Sequence, residues 1–155
     1  MPNTTNQYHS MMKFLLFAVL LTALTVAMHC VGTYAALTHG DVLRRTKVAR
    51  RWLWVIGTQA YVVSLMLIFH LLEAAIWAVA YCWLDMLPDF STALYFSLTS
   101  YSTVGYGDIV LPQTWRLLGP IESVVGVLML GWSTALIVAL MQNVFRENFE
   151  LEKQE

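Results

Sequence analysis

Three long apolar runs constrain this chain more than any other feature of its sequence. Between Phe14 and Leu37 there is no Lys, Arg, Asp or Glu. At about 1.5 Å per residue that run reaches roughly 36 Å as a helix, enough to cross a ~30 Å hydrocarbon core with some tilt. A second run, Trp52 to Leu84, reaches roughly 50 Å if wholly helical, and a third extends from Leu117 to Phe145. Lipid offers backbone groups no hydrogen-bond partners, so runs of this length are expected as helices. Hydrophobic residues make up 58% of the chain and charged ones 12%, against roughly 25% charged in a soluble domain. The fold class expected is an all-α membrane protein with three transmembrane helices. A net charge of -1 and the lack of a long basic tract give nucleic acid no footing. Cys30 and Cys82 sit in or beside different apolar segments and read as small buried thiols. No internal repeat is visible, so one membrane domain is expected.

Between the second and third runs stands Thr103-Val104-Gly105-Tyr106-Gly107-Asp108. Glycines at alternate positions take φ > 0 without a Cβ penalty. Alternating them with Val104 and Tyr106 lets successive carbonyls turn to the same side of an extended strand. Such a row of oxygens substitutes for the water around a dehydrated cation. One chain supplies one row and a ring needs several, so the motif implies an oligomer. Pro88-Asp89 is a helix-start signal, and the segment from Asp89 to Ser102 is about three to four turns long and ends at the motif. Pro112 and Trp115-Arg116 follow it, before the third run.

That order of long helix, short helix, glycine motif and long helix resembles the pore module of the bacterial two-helix potassium channels, over roughly Trp52 to Phe145. The resemblance implies a re-entrant pore helix at 89–102, a selectivity filter at 103–107 and an inner helix at 117–145. An N-terminal tail, an extra helix and a basic loop would precede them (1–51), and a short tail would follow (146–155). It implies a homotetramer in the cell (inner) membrane that passes K⁺ down its gradient, with no enzymatic activity. No cofactor is implied beyond the ions themselves. K⁺ would be held by the carbonyls of Thr103, Val104, Gly105 and Tyr106, with the Thr103 hydroxyl; Gly107 completes the filter. Two departures concern its support. Tyr95-Phe96 stands where the best-known member has paired tryptophans, and Thr99 where it has a glutamate paired with the filter aspartate. The partner of Asp108 is therefore open between Tyr95, Thr99, water and none. Gly126 and Gly131 fall near the family's hinge glycine and a second small residue. Close packing is the reading for Gly131, and hinge or packing stay even for Gly126. Helical spacing places Val127, Leu130, Thr134, Ala135 and Val138 on the cavity face, with Leu140, Met141 and Val144 below them as an apolar constriction. Two other readings remain: a pore-loop subunit of a potassium transporter, and a non-conducting partner of other channel subunits.

Orientation follows from charge. His39 to Arg51 carries Arg44, Arg45, Lys47, Arg50 and Arg51 against Asp41. The positive-inside rule makes this loop cytoplasmic, which leaves the N-terminus outside and the C-terminus inside. The spacing by three of Arg44, Lys47 and Arg50 is similar to a voltage-sensor fragment, but no apolar frame surrounds it, and an interfacial turn facing anionic headgroups is the plainer reading. Met1 to Met12 is polar and reads as an irregular tail. A cleaved leader starting at Lys13 would have too long an apolar run. Within the second run, His70 and Glu73 lie three apart on one helix face. Ionisable residues at this depth are functional candidates with a partner inside the bundle. They read as structural, bonded to Ser97, Thr99 or Ser100, or as a proton-sensitive pair. Two ligands alone are too few for a zinc site. Glu122, near the outer face, reads as a snorkelling or pore-helix-bonded carboxylate.

Overall fold

A computed structural model describes the backbone of residues 4–44 and 51–152, with side chains for 12–38, 55–143 and Arg146. The described residues form four helices and no strand: α1 (Thr4–Arg44), α2 (Arg51–Trp83), α3 (Phe90–Tyr101) and α4 (Leu118–Glu152). Three contain stretches long and apolar enough to cross a membrane, Met12–Thr38, Val55–Trp83 and Leu118–Asn143. The protein is thus an all-α, multi-pass membrane protein.

Helix boundaries differ from expectation at the ends. The polar segment before Met12 is helical from Thr4 onward, because no Gly or Pro interrupts the chain between Pro2 and Gly32. α1 also runs through Gly40 and Asp41, and α4 continues past Phe145 to Glu152. Arg45, Lys47 and Arg50 of the basic loop lie outside the described residues, as do the side chains of Arg44, Arg51, Trp52, Trp54 and Val144. Pro120 falls in the first turn of α4, where its missing N–H breaks no helical bond.

α2 and α4 pack against each other, and α1 and α3 each pack against both. The main core lies at the α3 level. Trp77, Tyr81 and Leu118 are wholly buried there, and Phe96 meets Tyr81 edge-on with ring centroids 5.3 Å apart. Trp115, from the loop before α4, covers the end of α1 against Phe14 and Phe17. A smaller cluster of Ala36, Val62 and Met66 joins α1 to α2 at the other end, with Leu136, Ile137 and Leu140 of α4 against it. Close helix approach is bought by glycine at two places. A Cβ on Gly32 would lie 2.7 Å from the Phe69 ring, and one on Gly126 would lie 2.0 Å from the Tyr101 carbonyl oxygen. The buried Thr25 hydroxyl turns back on its own helix, donating to the Leu21 carbonyl at 2.9 Å.

Candidate functional site

α3 sets the position of the glycine motif. Asp89 caps its first turn, accepting from the Thr92 N–H at 2.9 Å and the Thr92 hydroxyl at 2.8 Å. Those two donors, the N–H first, hold the Asp89 carboxyl below its ordinary 3.8. At the other end the chain winds back on the helix instead of leaving it. The Leu98, Ser100 and Thr99 carbonyls accept from the N–H groups of Ser102, Thr103 and Gly105, at 3.1, 2.9 and 3.0 Å. Ser123 of α4 also donates to the Ser100 carbonyl at 2.7 Å. The terminal carbonyls that a helix leaves unsatisfied thereby anchor the motif.

Backbone conformation in the motif alternates. Thr103, Gly105 and Gly107 have φ of 63°, 53° and 76°, while Val104 and Tyr106 are not among the positive-φ residues. The glycines follow expectation; Thr103 does not. A β-branched residue in the left-handed region is strained by roughly 1–3 kcal/mol and persists only where its surroundings hold it. Residues 103–108 are all exposed, Tyr106 by 71% and Val104 by 53%. Among the described residues none donates a hydrogen bond to a carbonyl of 103–107.

Of the alternatives for Asp108, the structure selects Tyr95, whose hydroxyl donates to Oδ2 at 2.8 Å. The Thr99 hydroxyl instead donates to the Phe96 carbonyl in its own helix, so Thr99 supports the motif through its backbone. A groove of about 510 Å³ runs behind the motif, lined by Thr99, Thr103, Gly105, Val110 and Arg116 among others.

On α4, Val127, Leu130, Thr134, Ala135 and Val138 share an exposed face with Gly131, and Met141 is half-buried. Leu140 turns the other way, into the α1–α2 cluster. Its packing against that cluster sets it apart from the exposed α4 face. The packing role falls to Gly126, against Tyr101; a Cβ on Gly131 meets nothing within 4 Å.

Both buried carboxylates are bonded to α3. Glu122 accepts from the Ser97 hydroxyl and, at 2.7 Å, from the Tyr81 hydroxyl. Glu73 does not meet Ser97, Thr99 or Ser100. Its α3 partner is the Tyr101 hydroxyl, and it also faces His70 at 3.3 Å and His29 at 2.9 Å. His29, on the extra helix, is a site residue that sequence reasoning missed. Nothing in its spacing ties it to His70, and only the packing of α1 on α2 reveals it.

The family model described as an ion channel matches residues 65–143. Among curated proteins and among solved structures, none matches the chain.

Proposed function

The chain belongs to the ion-channel family, and from that premise we propose that it is a potassium-selective channel, conducting passively through a pore of four copies. The observation that carries this reading is the left-handed backbone at every second residue, Thr103, Gly105 and Gly107. In an ordinary strand successive carbonyls point to opposite sides. Reversing the sign of φ at alternate residues turns them to one side. Four such rows around an axis make stacked rings of oxygens that replace the hydration shell of K⁺, so that a dehydrated ion enters at little cost. Na⁺ is served less well by the same rings. Several ions in single file repel one another, which keeps binding from halting flow.

The other parts fall into place around the rings. The hydrogen bonds from Gly105 and Thr103 to the end of α3 fix the strip's height, and the Tyr95–Asp108 bond ties its outer end. α3 ends at the strip, so the negative end of its dipole favours a cation on the axis. The exposed α4 face, from Val127 to Val138, lines the cavity, with Met141 nearest the inner mouth. The N-terminus lies outside and the C-terminus in the cytoplasm, with the filter towards the outer surface of the cell (inner) membrane.

Reconstitution of the purified chain alone in a planar bilayer tests this. Unitary K⁺ currents are expected. A folded, membrane-inserted protein that passes no current would instead favour the partner-subunit reading. Movement of K⁺ without channel-like steps would favour the transporter reading.

A further inference from the structure

The chain holds a buried group of metal-ligating side chains that the pore reading does not use. His29 of α1 and His70 and Glu73 of α2 bring one ligand atom each within 4.8 Å of one another. His29 and Glu73 are wholly buried, and the His70 side chain keeps 11% exposure. Both imidazoles turn Nδ1 to the carboxylate, His29 to Oε1 at 2.9 Å and His70 to Oε2 at 3.3 Å. Both also turn Nε2 to a single hydroxyl, Ser133 of α4, at 2.9 Å from His70 and 3.4 Å from His29. The Tyr101 hydroxyl closes the remaining side, donating to Glu73 Oε2 and lying 3.0 Å from His70 Nδ1.

Glu73, His29, Ser133 and His70 form a closed ring in which two imidazole Nδ1 atoms converge on one buried carboxylate. That convergence suits a divalent ion bonded to both Nδ1 atoms and to Glu73. Each imidazole then keeps its hydrogen on Nε2, and both donate to Ser133 Oγ, whose two lone pairs receive them. A histidine that ligates through one nitrogen and is fixed by a hydrogen bond at the other is the usual arrangement around bound metal. Bonds of about 2.0–2.1 Å in tetrahedral geometry place ligand atoms roughly 3.3 Å apart; the two Nδ1–carboxylate separations are 2.9 and 3.3 Å, and all three ligand atoms lie within 4.8 Å of one another.

We infer that His29, His70 and Glu73 form a site for a divalent transition-metal ion of the Zn²⁺ class, with its fourth position towards Tyr101. Two imidazoles select such an ion over Mg²⁺ or Ca²⁺. The ion bonds α1 to α2, with α4 held through Ser133 and α3 through Tyr101, two residues before Thr103. The inference stands apart from the potassium reading, since binding is read without current.

Purified full-length protein in lipid nanodiscs, stripped with chelator, is titrated with Co²⁺ and then with Zn²⁺. One saturable Co²⁺ per chain is expected, with the visible bands of four-coordinate cobalt, and Zn²⁺ displaces it. Ser133→Ala weakens binding by about 10–100-fold, because it removes the partner that orients both imidazoles; His29→Ala abolishes it. No saturable cobalt band in folded wild-type protein would overturn the site and leave a hydrogen-bonded cluster. Bands unchanged in Ser133→Ala and His29→Ala would overturn it too. If His29→Ala does not fold, the wild-type and Ser133→Ala titrations decide.

Discussion

Thr103, Gly105 and Gly107 share a left-handed backbone; under the proposed carbonyl-ring reading that torsion is the functional property, and single substitutions separate torsion from space. A Cβ on Gly105 meets nothing within 4 Å of its own chain, yet the residue sits at φ +53°. Alanine there fits but strains the left-handed conformation by roughly 1–2 kcal/mol in each copy. Gly105→Ala is expected to abolish K⁺ current while the assembly still runs at its wild-type size on gel filtration; normal current from this variant would refute the carbonyl-ring account. Tyr95 and Thr99 are one helical turn apart, so sequence alone left both within reach of Asp108. The longer phenol makes the bond. Tyr95→Phe is therefore expected to leave selectivity intact and to hasten the decline of current during sustained opening, measured as the decay time in long recordings; Thr99→Val should change that decay less. The left-handed threonine was not legible, because nothing local favours it. The bonds to the α3 carbonyls impose it.

Helix contacts explain which small and charged residues matter. Close packing is the sequence reading for Gly131, five residues after Gly126 on an apolar run, but within the chain the close contact is made by Gly126. Gly126→Ala drives a methyl group against the Tyr101 carbonyl, 2.0 Å from the ideal Cβ position. Overpacking of this kind costs about 1–3 kcal/mol, so a lower midpoint of thermal unfolding is expected. Gly131→Ala, in open space within the chain, should leave the fold of the single chain intact. At the start of α3, the Asp89 carboxyl lies below its ordinary 3.8 because Thr92 donates to its charged form. Its contribution is full above the ordinary value and is lost only as pH falls through the lower folded value. Asp89→Asn should thus lower thermal stability at neutral pH, and the difference from wild type should vanish in strong acid, as melts at several pH values would record. The spans themselves were legible because a charge-free run of that length has few other fates. Their ends were not, since helix α1 continues into polar residues that carry no stop signal before Gly32.

The whole molecule shows apolar and backbone-polar surface that a single chain leaves uncovered. Val104, Tyr106, Val124, Val127 and Leu128 are all more than half exposed around the motif and the adjacent α4 face. Contiguous apolar surface of this kind marks contact with lipid or with further subunits, in keeping with a pore shared among copies. The left-handed backbone at Gly105 and Gly107 could be read in the sequence because glycine alone takes φ > 0 without a Cβ penalty. The role of α1 could not, because His29 finds His70 and Glu73 only after α1 has packed on α2. The most direct test of the central claim is the reversal potential of the purified, reconstituted chain with K⁺ on one side of the bilayer and Na⁺ on the other. Carbonyl rings selective for K⁺ predict reversal displaced far towards the K⁺ equilibrium potential. Reversal near zero under equal total cation would show Na⁺ passing as readily as K⁺ and would contradict the account.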